Sequence, residues 1–166
     1  LFAQYYQSKN YSLEPSADLL HPFFPLSFNM SAGLVQLEPI IRKKSRTKKK
    51  IFTTQKCIRH FDIEQSGFDK THSSFFEMPG ALTANCDSRR DQLGNLLELL
   101  VNNLYFDQHR MVATVFGKQN NSHFFPDKEA VQFFHDSGFK DDQIVYDGKL
   151  WIQGGDALQS LQATGM

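Results

Sequence analysis

The sequence predicts an α+β fold, and three stretches carry that expectation. Residues 53–80, TTQKCIRHFDIEQSGFDKTHSSFFEMPG, read as a hairpin: one strand from Gln55 to Arg59, a polar loop, and a second strand from Ser74 to Met78. Leu93, Leu96, Leu97, Leu100, Val101 and Leu104 recur at the 3.6-residue period of one helix face. Arg110 to Phe116, RMVATVF, has the β-branched and aromatic content of another strand.

Length and composition bound the rest. A chain of 166 residues suits one domain with a sizeable core, and 40% hydrophobic residues with 16 Phe argue against disorder. Lys plus Arg and Asp plus Glu are equal at 18 each, so bulk charge predicts neither a nucleic-acid nor a membrane partner and any such contact must be local. Cys57 and Cys86 match no zinc spacing and fit a reducing compartment better than a disulfide framework. No apolar run approaches the roughly 20 residues of a spanning helix. The chain opens at Leu1 with no basic-then-apolar leader pattern, and it is expected to be a segment of something longer.

Along the chain, Leu1, Phe2, Tyr5 and Tyr6 have helical spacing and predict an amphipathic helix ending near Asn10. Residues 42–50 concentrate Arg42, Lys43, Lys44, Arg46, Lys48, Lys49 and Lys50 in one basic loop. Such a run is either a solvated loop or a contact for a phosphate backbone, where each neutralised phosphate releases counterions. It holds no aromatic residue, so an RNA contact there would be independent of base sequence. Asp87 and Ser88 cap the leucine helix, whose stripe is expected to face a core. Asp127 caps a further helix, DKEAVQFFHDSG, closed by Gly138. His123 and His135 have no carboxylate or cysteine partner at metal-binding spacing, and no metal site is expected.

The hairpin has the richest chemistry. Alternation puts Phe75 and Glu77 on one side and Phe76 and Met78 on the other, and Gly67 supplies the bend between the strands. A guanidinium such as that of Arg59 has the fork geometry for phosphate oxygens, an aromatic ring can stack on a base, and a carboxylate can accept from an exocyclic amine. A half-buried hairpin with a surface arginine has the same pattern.

The order QKCIR, DIEQSG, HSSFFEMPG resembles the second signature motif of the alanyl-tRNA synthetases. Two departures stand out. Only His60 and Phe61 separate Arg59 from Asp62, so the family's Gly-Gly-Lys segment is missing, and Ser73 and Ser74 replace a His and a Thr. Residues 25–39, PLSFNMSAGLVQLEP, are similar to the family's first motif, with Ala32, Gly33, Gln36 and Pro39 in register and Ser31 in place of Asn. RMVATVF resembles a further family strand. WIQGGD near the end is similar to a segment in which Gln153, Gly155 and Asp156 keep register, with Trp151 one place off.

The resemblance implies a class II synthetase-like antiparallel sheet flanked by helices, incomplete at the carboxy end, with residues 1–166 as a partial aminoacylation domain. It implies ATP with Mg²⁺ as substrate, no zinc in this segment, and alanine and tRNA(Ala) as partners, without a membrane. Arg59 would be the catalytic cation at the α-phosphate, Phe76 would lie at the adenine with Met78 beside it, Glu77 would orient the base, and His72 would approach the pyrophosphate. Trp151 and Asp156 would belong to the amino-acid pocket. The reaction so implied joins alanine to ATP as an adenylate and passes the acyl group to tRNA. Lacking the family's third motif, the segment by itself is not expected to charge tRNA. The alternative is a degenerate, non-catalytic module serving as an RNA- or protein-binding component of a ribosome or synthetase complex. The missing Gly-Gly-Lys favours that alternative; Arg59 and the FFEM run favour the enzyme. Gly67-Phe68-Asp69 resembles the eukaryotic form, so the mitochondrial matrix is the expected compartment, with the cytoplasm as the alternative.

Overall fold

Two ten-residue strands, β2 (Lys49–Ile58) and β3 (Phe75–Ala84), form the hairpin at the centre of the amino-terminal unit. The computed structural model describes residues 1–20, 29–33, 35–37, 47–60, 63–85, 89–117 and 126–147. Contacts divide the chain into two units, residues 1–86 and 87–166.

In the first unit the hairpin is twice as long as its sequence signal. Pairing runs without interruption from Lys49 opposite Ala84 to Ile58 opposite Phe75. Lys49 and Lys50 are therefore strand residues, not part of a loop. The antiparallel pair carries a third, short strand, β1 (Ser12–Leu13), which lies parallel to β2 with Leu13 opposite Phe52. Pro79 sits in β3, the outer strand of the described sheet, where a missing N–H is tolerated.

Each face of β2 is covered by a different neighbour. The helix α1 (Phe2–Ser8) places Tyr6 against Phe2 at 4.9 Å, Tyr11 at 5.0 Å and Phe52 at 6.4 Å between ring centroids. Burial, and after it the Tyr11 phenol, push the Tyr6 hydroxyl above the ordinary tyrosine value. Asn10, at φ 62°, ends the helix: Tyr11 N–H reaches the Tyr6 carbonyl and Asn10 N–H that of Gln7, the paired bonds of a Schellman turn. On the other face Ile51, Thr53, Gln55 and Cys57 are buried. Gly33 approaches closely there, and a methyl group on it would meet Gln55 Cβ at 3.5 Å and the Met78 backbone oxygen at 3.6 Å.

Gln55 is fully buried and fully used. Its Oε1 accepts from Ala17 N–H at 2.9 Å, and its Nε2 donates to the carbonyls of Ala17 at 2.9 Å and Lys56 at 2.8 Å. Gln36 holds the same segment, accepting from Ala17 N–H and donating to the Pro15 carbonyl. A buried primary amide needs this many partners, because each unpaired donor or acceptor costs about 1–3 kcal/mol.

The second unit is built on β4 (Ala113–Phe116) and β5 (Ile144–Asp147), which pair in parallel. Its strand is shorter than the sequence suggests, since Gln108–Arg110 forms a 3₁₀ turn capped by the Asp107 side chain. The leucine helix α2 (Arg89–Glu98) passes into a π-helical turn, Leu99–Asn103, where Leu104 N–H bonds the Leu99 carbonyl. That turn changes the helix's angular step, and the expected stripe is only partly covered: the buried residue is Leu99, which lies outside the stripe, whereas within it Leu96 is 47% and Leu104 44% exposed. Helix α3 (Lys128–Asp136) starts at Asp127, whose side chain accepts from Ala130 N–H. It ends in a second Schellman turn with Gly138 at φ 88° and the Phe134 and Phe139 rings 5.1 Å apart. Ala113, Val115, Phe139 and Ile144 form the core of this unit.

Candidate functional site

The closed end of the hairpin holds a polar cleft of about 440 Å³, lined by Ser31, Ala32, Arg59, Ile63, Ser66, Thr71, His72, Ser73 and Ser74. Three sequence segments meet there for identifiable reasons. Arg59 N–H donates to the Ser74 carbonyl at 2.8 Å, extending the hairpin ladder one residue past β2. Ile58 N–H donates to the Met30 carbonyl, and Asn29 Nδ2 to that of Ile58, which brings the 29–32 segment alongside. Gly67, at φ 89°, turns the connection.

Arg59 is fixed from two directions. Its Nε donates to the Ser31 carbonyl at 3.0 Å, and its guanidinium carbon lies 5.0 Å from the centre of the Phe76 ring. The substitution of Ser for Asn at position 31 leaves that contact intact, because it uses the main chain. With Nε and one face occupied, the two terminal nitrogens remain as the fork for an anion.

His72 lines the same cleft, in a turn organised by Asp69. Asp69 Oδ1 accepts from His72 N–H at 2.8 Å and Thr71 N–H at 3.0 Å, while Oδ2 is bonded to His72 Nδ1. The His72 backbone bond first, then its ring, then the Thr71 N–H, hold the Asp69 carboxyl well below the usual carboxylate range. Ser73 Oγ donates to the Phe75 carbonyl and closes the turn onto β3.

The other residues expected at a nucleotide site are distributed more widely. Phe76 lies at the cleft only through Arg59, which covers one face of its ring. Glu77 points to the opposite side of β3, exposed, with Lys56 directly across in the ladder. Met78 is engaged below the sheet, where its Sδ accepts from Gly33 N–H at 3.3 Å. Lys48, Lys49 and Lys50 stand at the far end of the hairpin, about 30 Å from Arg59 at the usual rise per strand residue. Lys50 Nζ lies 5.7 Å over the Tyr11 ring. Arg42, Lys43, Lys44, Arg46, Trp151 and Asp156 lie outside the described residues. Among the described residues no group of three metal-ligating side chains forms, and no helix is long and apolar enough to cross a membrane.

Cys57 is buried near the cleft end of β2. Burial pushes its thiol up against the opposing pull of Arg59, which keeps it protonated and unreactive. From the sequence, Asp69 and Gln55 have no site role, and Gln36 is marked only as a position in register with the first motif. An Asp three residues before a His in a Gly-containing loop is a local signal that could have found the first. Nothing local marks Gln55 as a buried clamp.

Residues 1–156 match the family model for tRNA synthetases class II (A). The alanine–tRNA ligase of Leptospira biflexa is 27% identical over 161 residues, covering 95% of this chain and 17% of the relative. That of Sorangium cellulosum is 29% identical over 163 residues, covering 92% and 17%. A protein of Ostreococcus tauri named as a probable alanine–tRNA ligase, chloroplastic/mitochondrial, is 30% identical over 122 residues, covering 73% of this chain and 12% of its own length. The chain thus spans 17% or less of these three relatives.

Proposed function

The chain belongs to the class II (A) tRNA synthetases, and we propose that it is the ATP-binding part of an alanine–tRNA ligase catalytic core. The observation that carries this reading is the convergence of Arg59 and His72, from the two ends of the hairpin connection, on one polar cleft. The similarity to alanine–tRNA ligases supplies the amino acid. In this reading the terminal nitrogens of Arg59 bind the α-phosphate of ATP, and His72 faces the departing pyrophosphate.

The chemistry asked of these residues is positioning and charge stabilisation. As the alanine carboxylate attacks the α-phosphorus in line, negative charge grows on the phosphate oxygens, and a guanidinium already anchored by Ser31 and Phe76 needs no reorganisation to meet it. Mg²⁺ enters with the ATP phosphates and neutralises part of that charge. Trp151 and Asp156 are the residues proposed for the alanine pocket, and the run Arg42 to Lys50 for a sequence-independent contact with tRNA(Ala). The mitochondrial matrix is the compartment we favour, on the form of residues 67–69 and the printed organellar name of the Ostreococcus relative.

Isothermal titration with Mg·ATP tests the core of this reading. Arg59→Ala should weaken binding by about 2 kcal/mol, since a charge-assisted phosphate contact is lost. Equal affinities for the wild type and the variant would remove Arg59 from the site.

A further inference from the structure

We infer that Asp69 is the positioning residue of His72: its carboxylate holds the imidazole by Nδ1 and so presents Nε2 to the phosphate groups of a ligand in the Arg59 cleft. This deepens the ATP reading above and rests on it. One side chain grips His72 twice, through the backbone N–H at Oδ1 and through the ring at Oδ2, and a third bond, from Thr71 N–H, orients the carboxylate itself. The Thr71 hydroxyl lies 3.3 Å from the same ring nitrogen. A carboxylate can only accept, so the hydrogen of this bond resides on Nδ1 and Nε2 is the nitrogen left for a ligand.

A purely stabilising role explains this arrangement poorly. Both side chains are 40% exposed, and an exposed ion pair adds little to stability. Asp69 lies beside the cleft without lining it, while among the described residues the ionisable ones that do line it are Arg59 and His72. A ring held between the Asp69 carboxylate and a phosphate oxygen needs a hydrogen on both nitrogens, so binding draws one proton from water onto Nε2. The histidine then stands as a second cation in the cleft with Arg59, at a fixed angle, where free rotation about its side-chain bonds would otherwise have to be frozen on binding.

Asp69→Asn separates turn from ring. Asparagine Oδ1 still accepts from both backbone N–H groups, but its amide nitrogen cannot accept from Nδ1–H. Nitrogen-15 spectra of the imidazole at alkaline pH should show the Nδ1–H tautomer in the wild type and the Nε2–H tautomer in the variant. Titration with pyrophosphate should show roughly tenfold or greater weakening in the variant, with only a small loss in thermal unfolding, as expected of an exposed carboxylate. Asp69→Glu, which keeps an acceptor, should recover part of the affinity. A wild-type Nε2–H tautomer, or equal pyrophosphate affinity in the Asn variant, overturns the proposal. If the wild type holds the Nδ1–H tautomer yet binds neither pyrophosphate nor ATP, the ATP reading fails, and with it the ligand role given to Nε2. The ring's attachment to Asp69 would still stand.

Discussion

The two units contain cavities of similar size and opposite chemistry. The cleft at the hairpin tip, about 440 Å³, is walled by hydroxyls, a guanidinium and an imidazole. The cavity of the second unit, about 360 Å³, is walled by Leu93, Leu96, Leu97, Leu100, Phe134 and Phe139 among other apolar residues. The first is made by connecting segments, the second by leucines of α2 and its π turn, Phe134 and Phe139 at the end of α3, and the stretch from Phe106 into β4. The contrast separates two uses of a concave surface: groups in the cleft can act on a charged ligand, whereas the walls of the apolar cavity hold their own unit together. Substitutions in the two places should therefore differ in kind as well as in size.

The largest effect is expected from the apolar side. Phe139 is buried, packs on Phe134 and also closes the Schellman turn after α3, so Phe139→Ala should cost about 4 kcal/mol in denaturant unfolding. A loss under about 1 kcal/mol would mean that the cavity wall yields freely, and the contrast between the units would collapse.

Gln55→Ala comes next, at about 2 kcal/mol, because it strands the Lys56 carbonyl and leaves the Ala17 carbonyl with the Ser16 hydroxyl alone. Gln36 still meets Ala17 N–H, which limits the loss. This change sharpens the comparison, since it weakens the unit that holds the cleft without touching a cleft-lining residue. ATP affinity measured well below the melting temperature should stay close to that of the wild type.

A smaller change is expected at the open end of the hairpin. Replacing Lys48, Lys49 and Lys50 by Gln should flatten the salt dependence of tRNA binding by about 0.7 to 0.9 in slope for each contacting charge. Coincident slopes would mark the run as solvated. Since these residues are a full strand length from Arg59, ATP binding should not change.

The smallest effect compares two carboxylates, one from each unit. Hydrogen bonds from Arg90, and then from Gln132, hold Asp136 below the ordinary carboxylate value, as the His72 turn does for Asp69. A folded-state value below the unfolded one adds stability above the ordinary carboxylate range, near pH 4, and loses it as pH falls through the lowered value. Carbon-13 titration should find both groups still ionised just below pH 4. Arg90→Ala should move Asp136 part of the way back, since the Gln132 bond remains, and leave Asp69 where it was.

Local signals in the sequence proved reliable where the structure they encode is local. Asp127 as cap, Gly138 as stop and the tyrosine face of α1 all follow from neighbours within a few residues. The hairpin strands are longer than the sequence suggests, because Lys49 to Thr54 and Pro79 to Ala84 carry no clean alternation and their pairing is imposed across the hairpin, whereas β4 is shorter. Parallel partners β1 and β5 are set by distant chain and differ in signal: Ser12–Leu13 is too short to carry one, while Ile144–Asp147 has β-branched and aromatic content that sequence reasoning missed. The π turn was invisible for a related reason: the leucine spacing continues through it unchanged. At the site, Arg59 and His72 were legible through the resemblance of their motif. That Phe76 and Glu77 occupy opposite faces of β3 follows from strand alternation alone, whereas the clamp of Arg59 by the Ser31 carbonyl involves a main-chain atom and leaves no trace in side-chain identity.

Cys57 has a practical consequence. It is paired with Phe76 one residue from the cleft end of β2 and wholly shielded, so alkylating reagents can reach it only when that end of the hairpin opens or sheds the segment packed on it. With Cys86 replaced by Ser, the rate of thiol modification becomes a clock for that opening, at the end that carries Arg59. A bound nucleotide that bridges Arg59 and His72 would slow that clock, so occupancy could be read from chemical labelling alone, without following any turnover.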